Sequence, residues 1–259
     1  MRTAPVLAVL ACGAPAVVAA CVPNDNRIPG GAASSSAAPA LPRPAQPATP
    51  AARGPAPLAP GPVIALPFSD SFDRAELGPD YNARSPAWRI EGGRLCVRGA
   101  RNQPAWLTRR LPKNARVEFV AESASPDGDI KVEVWGDGRG GATGVSYDNA
   151  SSYVVIFGGW RNTYHVLARI DEHAKDRPEV RLDPDSRDPR TTTVKAGTKY
   201  RFQIERTDGR TVRWSVDGAE VLSFEDPAPL AGPGHEHFAF NDWEVPVCFD
   251  ELLITPLPD

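Results

Sequence analysis

Ser152–His173, reading SYVVIFGGWRNTYHVLARIDEH, gathers the side chains best suited to chemistry in this chain. Trp160 offers a flat apolar ring on which the C–H face of a pyranose can pack, and Arg161 and Asn162 offer groups that bond hydroxyls. His165 and Arg169 lie on the same side of an alternating run, as a polar pair or as a base and a charge neutraliser. Trp135, beside Lys131 and Glu133, is a second aromatic expected to look outward. Trp135, Trp160, Arg161, Asn162, His165 and Arg169 are therefore the expected ligand-binding residues, with carbohydrate as the ligand. Each has a plainer reading: Trp135 covered by the Gly136–Gly144 segment, Trp160 packed over a hairpin end, His165 satisfied within the structure.

The other candidate chemistries are weaker. His235-x-His237, near Glu236 and Asn241-Asp242, lacks a third metal ligand at a recognisable spacing. Asp127-x-Asp129 and Asp183-x-Asp185 lack a calcium-loop series and read as acidic turns. No metal and no cofactor is expected. No G-x-S-x-G elbow, Cys–His nucleophile signature or phosphate-binding glycine loop is present. Tyr164 with His165 or Arg169 has the residue types of a lyase, and nothing beyond the types supports one. The net charge of −3 argues against sequence-independent nucleic-acid binding, which needs clustered positive charge.

The elements that must position these residues are strands. Tyr153–Phe157 and Tyr164–Ile170 flank a turn with Gly158, Gly159 and Asn162, a hairpin signal. In the second run, Tyr164, Val166, Ala168 and Ile170 are expected in the core. His165, Leu167, Arg169 and Asp171 are expected on the open face. Asp208-Gly209 and Asp217-Gly218 separate further alternating runs, which predicts two more hairpins. Short runs at Phe68–Phe72, Trp88–Ile90, Arg94–Arg98, Ala105–Arg109, Arg116–Glu122, Ile130–Gly136, Thr191–Lys195, His237–Asn241 and Val247–Thr255 complete an all-β pattern. No useful helical periodicity appears, so an antiparallel sandwich or barrel is expected. Asp171–Pro189 is expected to be a long surface loop. Parity places Trp214 in the core.

Four stretches together carry a resemblance: F-x-D-x-F near Phe68, W-R-I-E-G-G-R-L (Trp88–Leu95), Tyr200–Leu222 with its two D-G turns, and V-C-F-D-E-L-L-I (Val247–Ile254). Over Pro67–Pro256 the chain resembles the concanavalin A-like lectin/glucanase superfamily, in its bacterial laminin-G-like branch. The resemblance implies an antiparallel jelly-roll β-sandwich of two sheets, one concave. It leaves chemistry open, since that fold carries lectins, hydrolases, lyases and adhesion modules. The glucanase motif E-x-D-x-x-E is not found. Glu133 with Asp137, and Glu118 with Glu122, come nearest and have the wrong spacing. The chain thus leans away from an enzyme. A polysaccharide-degrading enzyme and a non-catalytic protein-interaction module of the envelope remain the alternatives to a carbohydrate-binding one.

The amino terminus reads as an address. Met1–Ala20 has a basic Arg2, a short apolar run and the ending Val-Ala-Ala before Cys21. This is similar to the lipobox of bacterial lipoproteins and implies lipidation at Cys21, with membrane attachment through the lipid alone. Val22 in place of Asp favours the outer membrane of the cell envelope. Cys21–Pro62, rich in Pro, Ala and Ser, is expected to be a disordered, semi-stiff tether. The folded domain is expected over 63–259. With Cys12 removed and Cys21 lipidated, Cys96 and Cys248 remain, an even pair in an exported protein. Jelly-rolls of the resembled type often bring the chain ends side by side, which makes a Cys96–Cys248 disulfide plausible beside two free buried thiols.

Overall fold

The computed structural model describes residues 58–59, 61–140 and 151–259. The signal segment, Cys21 and nearly all of the tether lie outside the described residues.

Alternating sequences fold here into two antiparallel sheets. One is built from β1 (Phe68–Asp70), β3 (Arg89–Glu91), β4 (Arg94–Val97), β6 (Ala115–Ser123), β11 (Lys199–Arg206), β12 (Thr211–Val216), β13 (Ala219–Glu225) and β15 (Val247–Pro256). Its order is β13-β12-β11-β6-β15-β4-β3, with β1 also on β15. The other contains β2 (Tyr81–Ala83), β5 (Ala105–Leu107), β7 (Ile130–Gly136), β8 (Tyr153–Gly158), β9 (Tyr164–Arg169), β10 (Glu179–Arg181) and β14 (His237–Asn241). Its order is β10-β9-β8-β7-β14-β5-β2. Neighbours in sequence that pair as hairpins include β8–β9, β11–β12 and β12–β13. The β12–β13 link is Asp217-Gly218, both at positive φ (50° and 81°), the requirement of a two-residue hairpin turn.

The core lies between the sheets. On β6, Val117, Phe119 and Ala121 are buried, and they face Phe202 and Ile204 on β11 in register. Phe119 stacks on Phe202 at 4.8 Å and meets Phe240 of the other sheet edge-on at 5.6 Å. Trp214 is fully buried, as its parity implies. The opposite side of the first sheet is polar and cross-linked by ion pairs, among them Arg116–Glu205 and Arg94–Glu122.

Cys96 and Cys248 are directly opposed on β4 and β15 and joined by a disulfide, with Cα atoms 4.1 Å apart. Leu95 and Val97 point into the core, so the bridge lies on the outer side of the sheet. Among the described residues, the one grouping of metal-ligating types within common reach is Glu91 with these two sulfurs, which are bonded to each other.

Two expectations about elements are corrected, and one strand is added where none is expected. Thr191–Lys195 is irregular, while Tyr81–Ala83 and Glu179–Arg181 are strands. The last falls inside the expected loop and adds an edge strand to β9. Tyr-Asn-Ala and Glu-Val-Arg are too short to show an alternation of their own in the sequence.

Candidate functional site

The β8–β9 hairpin turns through Gly159–Asn162 with a left-handed backbone: Trp160, Arg161 and Asn162 have φ of 51°, 56° and 60°. Non-glycine residues in this region cost roughly 1–2 kcal/mol each, so something must hold them. The holder is Asn162. Its Nδ2 donates to the carbonyls of Pro126 and Val194 at 2.8 and 2.7 Å, and its Oδ1 accepts from the Val194 amide at 2.8 Å. Gly158 makes room: a Cβ there would sit 2.5 Å from Val194 and 2.8 Å from the Asn162 oxygen. Arg161→Gly should relieve part of the strain and raise unfolding free energy by about 1 kcal/mol in urea titration. A loss of stability would show that the turn is not strained at Arg161.

The turn presents Trp160 and Arg161 to a cleft of about 500 Å³, whose lining also includes Trp243, Asp129, Lys131 and Glu172. Both indoles are half-exposed and both are steadied by an arginine. Arg177 lies 4.3 Å from the Trp160 ring and donates to the Glu172 carbonyl. Arg101 lies 4.8 Å from the Trp243 ring and pairs with Glu244 at 2.7 Å. The floor is charged and buried. Lys131 projects from β7 away from the core, 3% exposed, and donates to Glu172 at 2.8 Å and Asn102 at 2.9 Å. Burial alone would lower the Lys131 pKa, but the Glu172 and Asp129 carboxylates outweigh it, so Lys131 stays charged. Burial, with Glu172 and Glu244 nearby, raises the Asp129 pKa despite Lys131. An aromatic pair over a polar floor is an arrangement that packs on sugar rings while bonding their hydroxyls.

The six expected ligand residues separate. Trp160 and Arg161 line the cleft, and Asn162 holds their turn. Trp135 is fully buried and turned inward, its Nε1 donating to the Pro112 carbonyl at 3.1 Å. The reason is a β-bulge: the β7–β14 register shifts between His237 and Ala239, and Trp135 has a φ of 48°. One extra residue puts Val134 and Trp135 on the same side, which alternation cannot anticipate.

His165 and Arg169 also face the inside, the reverse of the expectation. In register, Leu167 stands opposite Val155 and Arg169 opposite Tyr153; His165 lies against the Phe157 ring, and this set points between the sheets. His165 stacks on Phe157 at 4.2 Å, and its Nδ1 accepts from the Gly158 amide at 3.0 Å. Arg169, at the edge of the sandwich, donates to Asp226 at 2.7 Å and to the Ala228 carbonyl at 2.9 Å. The other face, with Val154, Ile156, Val166 and Ala168, is apolar too and forms a second buried cluster against Trp160 and Tyr164. With both faces hydrophobic, the larger rings of Tyr153 and Phe157 take the core, and His165 follows its strand. Glu133 is buried on the cleft's sheet face, accepting from Ser152 at 2.8 Å and Asn241 at 2.9 Å.

Two buried groups make opposing contributions to pH dependence. Burial lowers the His165 pKa from 6.5 to about 3. Its native state binds fewer protons than the unfolded one, so stability falls as pH drops from 6.5 towards 3. Burial raises the Asp242 pKa from 3.8 to about 7, against a hydrogen bond from the Ala100 amide at 2.9 Å. That contribution is full below 3.8 and is lost as pH rises through about 7. Relative to the parent chain, His165→Gln should therefore gain stability on acidification between about pH 6 and 4, and Asp242→Asn should lose it. Each slope approaches about 1.4 kcal/mol per pH unit, readable from urea midpoints. Parallel profiles for parent and variants would contradict the assigned protonation states.

Trp243 and Asn102 carry no sequence-based expectation, and Asp242 enters only beside the His235-x-His237 metal candidate. Trp243 had the signal that singled out Trp160, an aromatic among polar residues in a connection between strands. Lys131, on the side of β7 away from the core, pairs with Glu172 at 2.8 Å. Their pairing joins β7 to the loop after β9 and becomes visible only when those segments meet.

No known family model matches this chain, and no curated protein sequence does. Solved structures do. A carbohydrate-binding module, CBM66 from Bacillus subtilis, matches with a TM-score of 0.50 at 11% identity, covering 70% of this chain and 98% of that one. A protein of unknown function with a galectin-like fold, also from Bacillus subtilis, matches at 0.51 and 11%, covering 76% and 97%. The apo form of the transglycosylase Crh5 matches at 0.51 and 12%, covering 79% and 89%. Identities this low speak to architecture alone, and the architecture shared with the two sheets described above is the antiparallel jelly-roll β-sandwich.

Proposed function

We propose that this domain binds carbohydrate in the Trp160–Trp243 cleft, and that the chain is a cell-envelope lipoprotein anchored through Cys21. The observation that carries the binding reading is the pair of half-exposed, arginine-steadied indoles over the charged Asp129–Lys131–Glu172 floor. A carbohydrate-binding module is among the proteins of this fold. The anchor rests on Val-Ala-Ala-Cys21, and the Pro/Ala-rich stretch after it would serve as a spacer.

The test is calorimetry against a panel of oligosaccharides with the parent chain, Trp160→Ala and Trp243→Ala. Removing either ring should cost on the order of 2 kcal/mol, about thirtyfold in affinity. Binding that survives both substitutions unchanged would move the site elsewhere, and no binding to any oligosaccharide would end the reading. The anchor is tested separately, by metabolic labelling with a fatty-acid analogue. Labelling that Cys21→Ser abolishes supports it; labelling that persists, or never appears, contradicts it.

A further inference from the structure

The charges around the indoles are not balanced, and the imbalance bears on which sugars fit. Four carboxylates line the cleft: Asp127, Asp129, Glu172 and Glu244. Glu172 is taken up by Lys131, and Glu244 by Arg101. That leaves two, Asp127 and Asp129, and among the described residues no hydrogen bond or ion pair reaches either carboxylate. The cation in the lining without such a partner is Arg161, which sits exposed at the outer turn. Asp129 is the more confined acid, half-buried with Glu172 and Glu244 acting on it. A cationic group seated on the rings therefore meets two carboxylates with no bonded partner, and its charge would offset the burial and the neighbouring acids that raise the Asp129 pKa.

Resting on the carbohydrate reading of this cleft, we propose that its preferred ligands are oligosaccharides bearing free amino groups, de-N-acetylated hexosamines, over neutral and uronic-acid sugars. An ammonium group donates charge-assisted bonds to a carboxylate that no protein group hydrogen-bonds. An N-acetyl group at the same carbon brings no charge, and its bulk must be accommodated. A uronate places a carboxylate beside Asp127 and Asp129, where like charges repel and the loss of water is uncompensated. The indoles supply ring packing common to all three classes, so the acids set the choice among them.

The experiment is calorimetry with three oligomers of equal length: glucosamine, N-acetylglucosamine and galacturonate. It is run at low ionic strength and near-neutral pH, where the raised pKa of Asp129 weighs least against its ionised form, with the parent chain, Asp127→Asn and the Asp127→Asn/Asp129→Asn pair. The glucosamine oligomer should bind about tenfold more tightly than its N-acetylated counterpart, and the galacturonate more weakly than both. Added salt should narrow the gap, because screening acts on exposed charge. Within the double variant the amino oligomer should bind no more tightly than its N-acetylated counterpart, whatever the affinity common to both. Asp127→Asn, a near-isosteric change at an exposed position, should lose part of the amino-sugar advantage. If the N-acetylated or the acidic oligomer binds as tightly as the amino one, and Trp160→Ala still weakens it, the charge preference is wrong and the cleft reading stands. If none of the three binds, and the wider panel is silent as well, the carbohydrate reading fails and this one with it.

Discussion

Replacing Lys131 with methionine should lower the unfolding free energy by about 3–5 kcal/mol, the usual cost of breaking a buried ion pair from one side. The side chain is 3% exposed and its ammonium bridges Glu172 and Asn102. Without it, the Glu172 carboxylate stays buried with only the Asn102 amide, 3.3 Å away, from a side chain on another segment. Asp129 loses the cation that lowers its pKa. The loop after β9 is tied to β7 through this pair, so the substitution should also weaken ligand binding in the cleft. A double variant, Lys131→Met with Glu172→Leu, leaves neither charge stranded and should cost less than the single change. Urea unfolding of the three proteins decides the matter. A loss below about 1 kcal/mol for Lys131→Met would mean that water already solvates the pair.

Removing the Cys96–Cys248 bridge should cost about as much. The sequence separation is 152 residues, and in the chain-entropy model closing a loop of that length stabilises by about 5 kcal/mol. Domains are typically stable by about 5–15 kcal/mol, so the loss takes a third or more of the total. The joined strands do not depend on the bridge for their pairing, since β15 is also hydrogen-bonded to β6 over most of its length. The native fold should therefore survive in Cys96→Ser/Cys248→Ser at low temperature, with a much lower urea midpoint. Equal midpoints for the oxidised parent and the double variant would contradict this, as would free thiols in the parent under non-reducing mass mapping.

The fold was legible because most strands announce themselves. Val117/Phe119/Ala121 and Phe202/Ile204 alternate cleanly against Glu118 and Gln203, and the two Asp-Gly turns fix which runs pair. The cysteines, counted after the amino-terminal address is set aside, gave the bridge. The site was legible only in part. Trp160 and Arg161 could be found because an aromatic and an arginine in a turn have few structural reasons to be there. The two-residue periodicity failed wherever its premises did. At Trp135 a bulge breaks the alternation. On β8 and β9 both faces are apolar, so the pattern does not say which is inside. There the choice falls to side-chain volume and to what the opposite sheet offers, neither of which a single strand encodes. Lys131, Glu172 and Asn102 come from three separated segments, and their meeting follows from topology alone.

The most direct test is to follow the indole N–H resonances of the six tryptophans as oligosaccharide is added to the chain. Trp160 and Trp243 line the cleft, whereas Trp88, Trp106, Trp135 and Trp214 are buried elsewhere in the sandwich. Saturable shifts confined to Trp160 and Trp243, assigned by single substitution, are the expected result. A ligand that binds while both of those signals stay in place would contradict the account.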